Sequence, residues 1–132
     1  MERGAYSVVS PSEERYLEEI YYQVLENGYA RISHIAKSLN VGVPSASRMA
    51  GRLSSQGYLD YEPYGIINLT KKGFAIGREL ERNHKVLENF FRLVKLEEAL
   101  IQQEVKNIEH HISSEAVGKI KAYLEMHTKM KS

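Results

Sequence analysis

The spacing of the apolar residues changes along this chain, and that change is its most restrictive feature. Up to residue 57 the apolar side chains recur every three or four positions, which is typical of amphipathic helices. From Tyr58 the runs 58–62 and 66–69 are rich in β-forming residues, and the helical spacing returns after Thr70. The predicted order is therefore three helices, a β-hairpin and then further helices.

Capping and turn residues place the ends of these helices. Ser10, Pro11 and Glu13 have the spacing of a capping box with proline at the first helical position. Asn40 is suited to end the second helix, and Thr70 to cap the long fourth one. The predicted helices cover about residues 11–26, 32–39, 44–56, 71–93, 97–110 and 114–126.

Three helices followed by a hairpin form a winged helix-turn-helix, a topology that favours DNA binding. The predicted fold is mainly α with a small β-hairpin: a winged helix-turn-helix domain over residues 1–72, then a helical dimerisation domain over 73–132. Residues 31–78 carry seven basic and two acidic side chains, whereas residues 1–30 carry two basic and six acidic ones. This basic middle segment predicts an anionic partner, and double-stranded DNA is the expected one.

The third helix carries the side chains that a recognition helix needs. Hydroxyl groups on its solvent side are suited to base edges, and guanidinium groups are suited to phosphates. Lysines on the preceding helix and after the hairpin would add phosphate contacts, and a tyrosine at the hairpin tip would reach the backbone or a minor groove. The predicted DNA-binding residues are Lys37, Ser45, Ser47, Arg48, Arg52, Tyr64, Lys71 and Lys72. Two other interpretations remain open: the charges only solvate small helices, or the winged helix docks another protein.

Several classes of protein are excluded or disfavoured. The chain has no cysteine, so disulfides and thiolate metal sites are excluded. It has no apolar stretch of about 18 residues and no signal peptide, so we expect a cytoplasmic protein with no membrane partner. An enzyme using two carboxylates and a histidine is the alternative from another class. We expect no enzyme and no catalytic residue, because no phosphate loop, nucleophile elbow or His-Glu-x-x-His run is present.

A carboxylate and an imidazole share one face of the fifth predicted helix. Lys106, Glu109 and His110 are spaced i, i+3 and i+4, and His84 lies midway along the long helix. This combination suits manganese, iron or zinc. A single helical histidine is equally well explained as a hydrogen-bonded surface or core residue, so spacing alone leaves the question open.

Four runs of sequence resemble the manganese-responsive branch of the diphtheria toxin repressor family of bacterial metalloregulators. They are residues 11–22, residues 27–32, Leu69-Thr70-x-Lys72-Gly73 and Ile108-Glu109-His110-His111. The resemblance extends from about residue 10 to residue 126. It implies a homodimer that binds a palindromic operator as a repressor, and a divalent metal that favours the DNA-binding arrangement. It does not extend to the third, SH3-like domain of longer members, which we do not expect in this chain.

The resemblance also implies metal ligands, with two departures. Four positions match the family's ligands: Glu18, His84, Glu109 and His110. Arg15 and Lys106 stand where the family carries an aspartate and a glutamate, and each added cation opposes a divalent ion by several kcal/mol at an effective dielectric of about 20. We therefore expect Arg15 and Lys106 to replace the metal, so that metal dependence is weakened or lost and no cofactor is required. Two alternatives remain open. In the first, the four matching residues form one remaining site that binds manganese first, or else zinc or iron. In the second, the pocket senses an anionic ligand.

Overall fold

The structure is a computed structural model that describes residues 9–131. Its helices are α1 Pro11–Asn27, α2 Ile32–Leu39, α3 Val43–Ser55, α4 Lys71–Leu93, α5 Glu98–Ile108 and α6 Ser114–Lys131. Its strands are β1 Ala30–Arg31, β2 Leu59–Glu62 and β3 Ile66–Leu69. The predicted fold class is confirmed. No helix between residues 9 and 131 is long and apolar enough to cross a membrane.

The chain divides into two compact units within α4. One unit is Ser12–Leu80, and the other contains the described residues 9–11 and 81–131. The first unit holds α1 to α3, the sheet and the first part of α4. The second holds the remainder of α4 together with α5 and α6.

The sheet of the first unit has three strands, one more than the sequence predicted. β2 and β3 form the predicted antiparallel hairpin, with Tyr61 opposite Ile67. The additional strand, β1, pairs with the outer side of β3 through Ala30 opposite Ile67. Two residues are too few to show an alternating pattern, so β1 carries no periodic signal in the sequence. We refer to β2, the turn Pro63–Gly65 and β3 together as the wing.

The core of the first unit fixes α1, α3 and the sheet against one another. Leu17 and Ile20 of α1, Leu53 of α3 and Ile67 of β3 are at most 1% exposed. Asn40 ends α2 in the left-handed conformation, as its cap position predicts. Helix α3 packs against strand β2 and helix α2, and the burial of these side chains holds α3 at a fixed place beside the wing.

The second unit has a separate apolar core. Leu87 of α4 with Ile101 and Val105 of α5 form its centre, and Ile120 of α6 packs against them. The hydroxyl of Ser113 accepts a hydrogen bond from the Ala116 amide at 3.1 Å, so Ser113 is the residue that caps α6.

Candidate nucleic-acid interface and metal centre

The solvent side of α3 presents hydroxyl and guanidinium groups together. Ser45 and Arg48 are exposed, and Arg48 Nη2 donates to Ser45 Oγ at 3.3 Å. Lys37 on α2 and Lys71 at the start of α4 are also exposed in the same unit. These side chains have the hydrogen-bond donors that phosphate oxygens and base edges accept.

Ser47 differs from Ser45 because it has a partner on the wing. Its Oγ lies 2.8 Å from the hydroxyl of Tyr61, which belongs to β2. Both side chains are half-buried. The sequence pattern predicts a DNA-facing Ser47 but gives Tyr61 no role, since a pairing across 14 positions leaves no local signal.

Arg52, one turn after Arg48, is held by a buried acid. Its Nε lies 3.4 Å from Glu13 Oε2, and the Arg52 side chain is still 58% exposed. The Gln56 amide also donates to the Glu13 carboxylate, at 3.5 Å. Glu13 therefore links the start of α1 to the end of α3, while much of the guanidinium still faces solvent.

Lys72 caps the same, C-terminal end of α3. Its ammonium donates to the carbonyl of Gln56 at 3.0 Å and lies 4.4 Å from the ring centre of Tyr58. A cation at a helix C-terminus stabilises the last carbonyls. Tyr58 is itself buried, and burial raises the pKa of its phenol, with the charge of Glu13 adding to the rise. Lys72 thus has a structural partner in addition to its predicted phosphate role.

The tip of the wing exposes one aromatic side chain. Tyr64 is 96% exposed and has a φ of 69° and a ψ of 18°. This is the left-handed region, which costs a bulky residue free energy and favours glycine or asparagine. Backbone strain of this kind is found preferentially at functional positions.

A small pocket lies between α1 and α3 on this side of the unit. Its volume is about 300 Å³. Its lining residues are Ser12, Tyr16, Ser45, Arg48, Met49 and Arg52. The pocket brings two guanidinium groups and hydroxyl groups to one opening, which suits an anionic ligand.

In the second unit, an imidazole of α4 lies between two carboxylates. His84 Nδ1 is 2.8 Å from Glu109 Oε1, and His84 Nε2 is 3.3 Å from Glu88 Oε2. Glu109 is only 7% exposed. His110 is close as well, with Nε2 3.8 Å from Glu109 Oε2. Glu88 is not among the predicted site residues, although its i+4 spacing from His84 is a usable signal in the sequence.

These donors fit a borderline divalent cation in kind. A neutral imidazole nitrogen and a carboxylate oxygen, already within hydrogen-bond distance of each other, are the ligand types that manganese, iron and zinc accept. The structure thus brings together three of the predicted residues, His84, Glu109 and His110, within the second unit. Glu18 is buried on α1 in the first unit.

The two cations at departing positions have different surroundings. Arg15 Nη2 donates to the carbonyl of Leu39 at 2.8 Å, and Leu39 is the last residue of α2. Arg15 therefore bridges α1 and the end of α2 inside the first unit. Lys106 is exposed on α5.

Solved structures of similar fold include metal-dependent regulators. IdeR from T. acidophilum is 26% identical, with a TM-score of 0.72 over 85% of this chain and 53% of its own. The manganese regulator SloR is 26% identical, with a TM-score of 0.71 over 86% of this chain and 53% of its own. The chain thus spans about half the length of these two proteins. A hypothetical protein from Sulfolobus solfataricus shares the fold at 24% identity and a TM-score of 0.69, over 88% of this chain and 89% of its own.

Two family models match consecutive parts of the sequence. The iron dependent repressor N-terminal DNA binding domain matches residues 9–67. The iron dependent repressor metal binding and dimerisation domain matches residues 70–130. With both domains matched in order over nearly the whole sequence, this chain belongs to the iron-dependent repressor family, also called the diphtheria toxin repressor family.

Proposed function

We propose that this chain is a transcriptional regulator of the repressor type that binds a palindromic double-stranded DNA operator. The observation that carries the proposal is the exposed face of α3, where Ser45 and Arg48 lie beside each other. In a winged helix this helix enters the major groove, so its hydroxyl and guanidinium groups meet base edges and phosphates. In this proposal residues 1–72 form the DNA-binding domain and residues 73–132 the helical domain of a cytoplasmic protein.

Duplex selection and salt titration test the DNA-binding proposal. The purified protein is used to select duplexes from a random-sequence pool, and affinity for the selected duplex is measured over a range of salt. Arg48→Ala is expected to weaken binding and to reduce the slope of log affinity against log salt by about one, because one phosphate contact contributes about 0.9. Lys121→Ala, an exposed lysine on the side of α6 away from Tyr123, serves as the matched control and should leave the slope unchanged. Failure to select any duplex would instead favour a protein-docking module.

The proposed regulator depends on metal only weakly. Two observations support this. First, Arg15 replaces an acidic ligand of the family, and its guanidinium donates a hydrogen bond to the Leu39 carbonyl. Second, the Glu109 carboxylate already has a partner, the His84 imidazole at 2.8 Å. The two ring nitrogens of His84 give both Glu88 and Glu109 a partner, at 3.3 Å and 2.8 Å, in the place where a divalent cation would otherwise be the partner of the carboxylates. In the same proposal Lys106 adds positive charge near the end of α5.

A second candidate function is a metal-responsive regulator with one remaining centre, and the second imidazole beside the same carboxylate, His110 Nε2 at 3.8 Å from Glu109 Oε2, favours it. His84, Glu109 and His110 would hold the ion, and the resemblance adds Glu18 as a further ligand. When bound, the metal supplies positive charge and fixes the orientation of the imidazole and carboxylate. Manganese is the first expectation, followed by zinc and iron.

DNA affinity with and without metal decides between the two candidates. Binding to the selected duplex is measured in chelator and in excess manganese at one salt concentration. Equal affinity supports the weakly metal-dependent regulator, whereas a requirement for manganese supports the single centre. Glu109→Gln keeps the size of the side chain and removes its charge. In calorimetry with manganese and no DNA, the heat of metal binding should disappear in this variant only if Glu109 is a ligand.

The proposed DNA-binding form is a homodimer. The described part of the second unit leaves large apolar side chains exposed on α5 and α6: Leu100 at 46%, Tyr123 at 57% and Met126 at 60%. Association of two copies through these side chains would remove their apolar surface from water, and a two-fold dimer matches a palindromic operator. Sedimentation equilibrium measures the mass. Tyr123→Lys is expected to shift the protein toward the monomer if α6 forms the interface.

A further inference from the structure

The Ser47–Tyr61 hydroxyl pair joins the recognition helix to the wing. The two oxygens are 2.8 Å apart, one on α3 and the other on β2. This separation is typical of a strong hydroxyl–hydroxyl hydrogen bond. Both side chains are half-buried, so water competes only partly for the two groups.

The pair lies at a point of β2 where a small rotation of the strand displaces the wing tip by a larger distance. Tyr61 precedes the exposed Tyr64 by three residues along the hairpin. At about 3.3 Å per residue in a strand, the tip lies on the order of 10 Å from Tyr61. A rotation of β2 by about 10° around this point therefore moves the tip by about 2 Å, which is enough to break a hydrogen bond to DNA.

We propose that Tyr61 is a positioning residue for DNA recognition, which holds the wing at a fixed place relative to α3 through Ser47. The inference rests on the proposed DNA-binding function and gives Ser47 a different role from direct base contact. Recognition by a winged helix needs α3 in a groove and the wing on the adjacent backbone at the same time. Fixing their separation before binding avoids an entropic cost that a mobile wing would incur on DNA.

A double-mutant cycle tests this role. Ser47→Ala and Tyr61→Phe each remove one hydroxyl, and each is expected to weaken binding to the selected duplex by about three- to tenfold. Because the two groups act as a unit, the double variant should bind no more weakly than the weaker single variant. Ser47→Thr retains the hydroxyl and should stay within about twofold of the wild type. Tyr29→Phe, a phenol exposed elsewhere in the first unit, is the matched control.

Binding to a scrambled duplex separates positioning from general loss of structure. A variant that misplaces the wing should lose more affinity for the selected duplex than for the scrambled one. All measurements are made below the melting temperature of each variant, checked by circular dichroism. Loss in Ser47→Ala without loss in Tyr61→Phe would overturn the proposal and assign Ser47 to direct DNA contact. Additive losses in the double variant would also overturn it.

An NMR measurement tests the pair without any DNA. Residual dipolar couplings and order parameters of the amides of residues 62 and 64–67 report the orientation and the fast motion of the wing. Tyr61→Phe and Ser47→Ala are expected to change both in the same way, and unchanged values would refute the positioning role. If the wild-type protein selects no duplex, the DNA-binding proposal fails, while this measurement still decides whether the pair holds the wing.

Discussion

Gly77→Ala is expected to destabilise the DNA-binding unit although alanine is the better helix former. Gly77 lies inside α4, and a Cβ built on it would lie 2.3 Å from Cδ1, 2.6 Å from Cγ and 2.9 Å from Cβ of Tyr21. Ordinary contacts of a Cβ are at 3.4–4 Å, so the Tyr21 ring would have to move by about 1 Å. Tyr21 is 4% exposed and has edge contacts with Tyr22 and Phe74, so the ring has little room to move.

Helix propensity and steric crowding change the free energy of unfolding of Gly77→Ala in opposite directions. Replacing glycine by alanine in a helix interior gains about 1 kcal/mol in the free energy of unfolding. Forcing a methyl group into a packed site costs typically about 1–3 kcal/mol, and more when the neighbours are held. With three contacts below 3.0 Å we take the upper end of that range, which gives a net loss of about 2 kcal/mol. For a unit of this size the melting temperature falls by roughly 10 °C.

Gly51→Ala is the matched control, because it makes the same change in a helix of the same unit. Nothing lies within 4 Å of a Cβ built on Gly51 in α3, so this variant should gain about 1 kcal/mol. Both free energies are measured by urea unfolding followed by circular dichroism. If Gly77→Ala is as stable as Gly51→Ala, the close packing of α4 on Tyr21 is refuted as the reason for this glycine.

Three further predictions concern single side chains of the same unit. Tyr64→Asn relieves the strain of the left-handed backbone without loss of packing, so thermal melting should show a gain of about 0.5–1 kcal/mol in the free energy of unfolding. Affinity for the selected duplex should fall severalfold. A less stable variant would contradict the presence of strain. Arg15→Gln removes the cation from the end of α2 and should cost about 0.5–1 kcal/mol, with faster amide exchange in α2 than in α1. Burial raises the pKa of the Tyr58 phenol above its ordinary value of 10.0. The free energy by which the buried neutral phenol stabilises the folded state is therefore complete below pH 10.0, and it is lost as pH rises through the raised pKa. Ultraviolet titration should show one tyrosine that ionises at higher pH than the others, and this step should be missing in Tyr58→Phe.

Most of the fold could be predicted because its elements carry strong local signals. Thr70 is suited to cap α4, and its hydroxyl does accept the Gly73 amide at 3.1 Å. Asn40 ends α2 where its sequence position indicates, and the hairpin has the predicted turn at residues 63–65. Strand β1 carries no local signal because its two residues are held by pairing with β3, 35 and 37 positions away, which no local pattern encodes.

The candidate interface was less predictable than the fold, because helical periodicity shows which side chains face outward and not which partners they find. Arg48 and Ser45 are exposed as the pattern of α3 predicts. Ser47, two positions after Ser45, finds the Tyr61 hydroxyl instead. Arg52 lies beside Glu13, which the sequence assigned to a cap of its own helix. Each of these pairings joins residues far apart in sequence, so it depends on the tertiary fold.

These pairings change what the charge of the middle segment means for DNA binding. The seven cations of residues 31–78 are not equivalent, since Arg31 lies over the Tyr29 ring and Lys72 donates to the Gln56 carbonyl. A cation that must leave such a partner to reach a phosphate gains less than one that faces solvent, because the lost contact offsets part of the new one. The salt slope of DNA binding should therefore reflect cations such as Lys37, Arg48 and Lys71 more than the total charge. By this reasoning Arg48→Ala costs more affinity than Lys72→Ala, even though composition alone weights them equally.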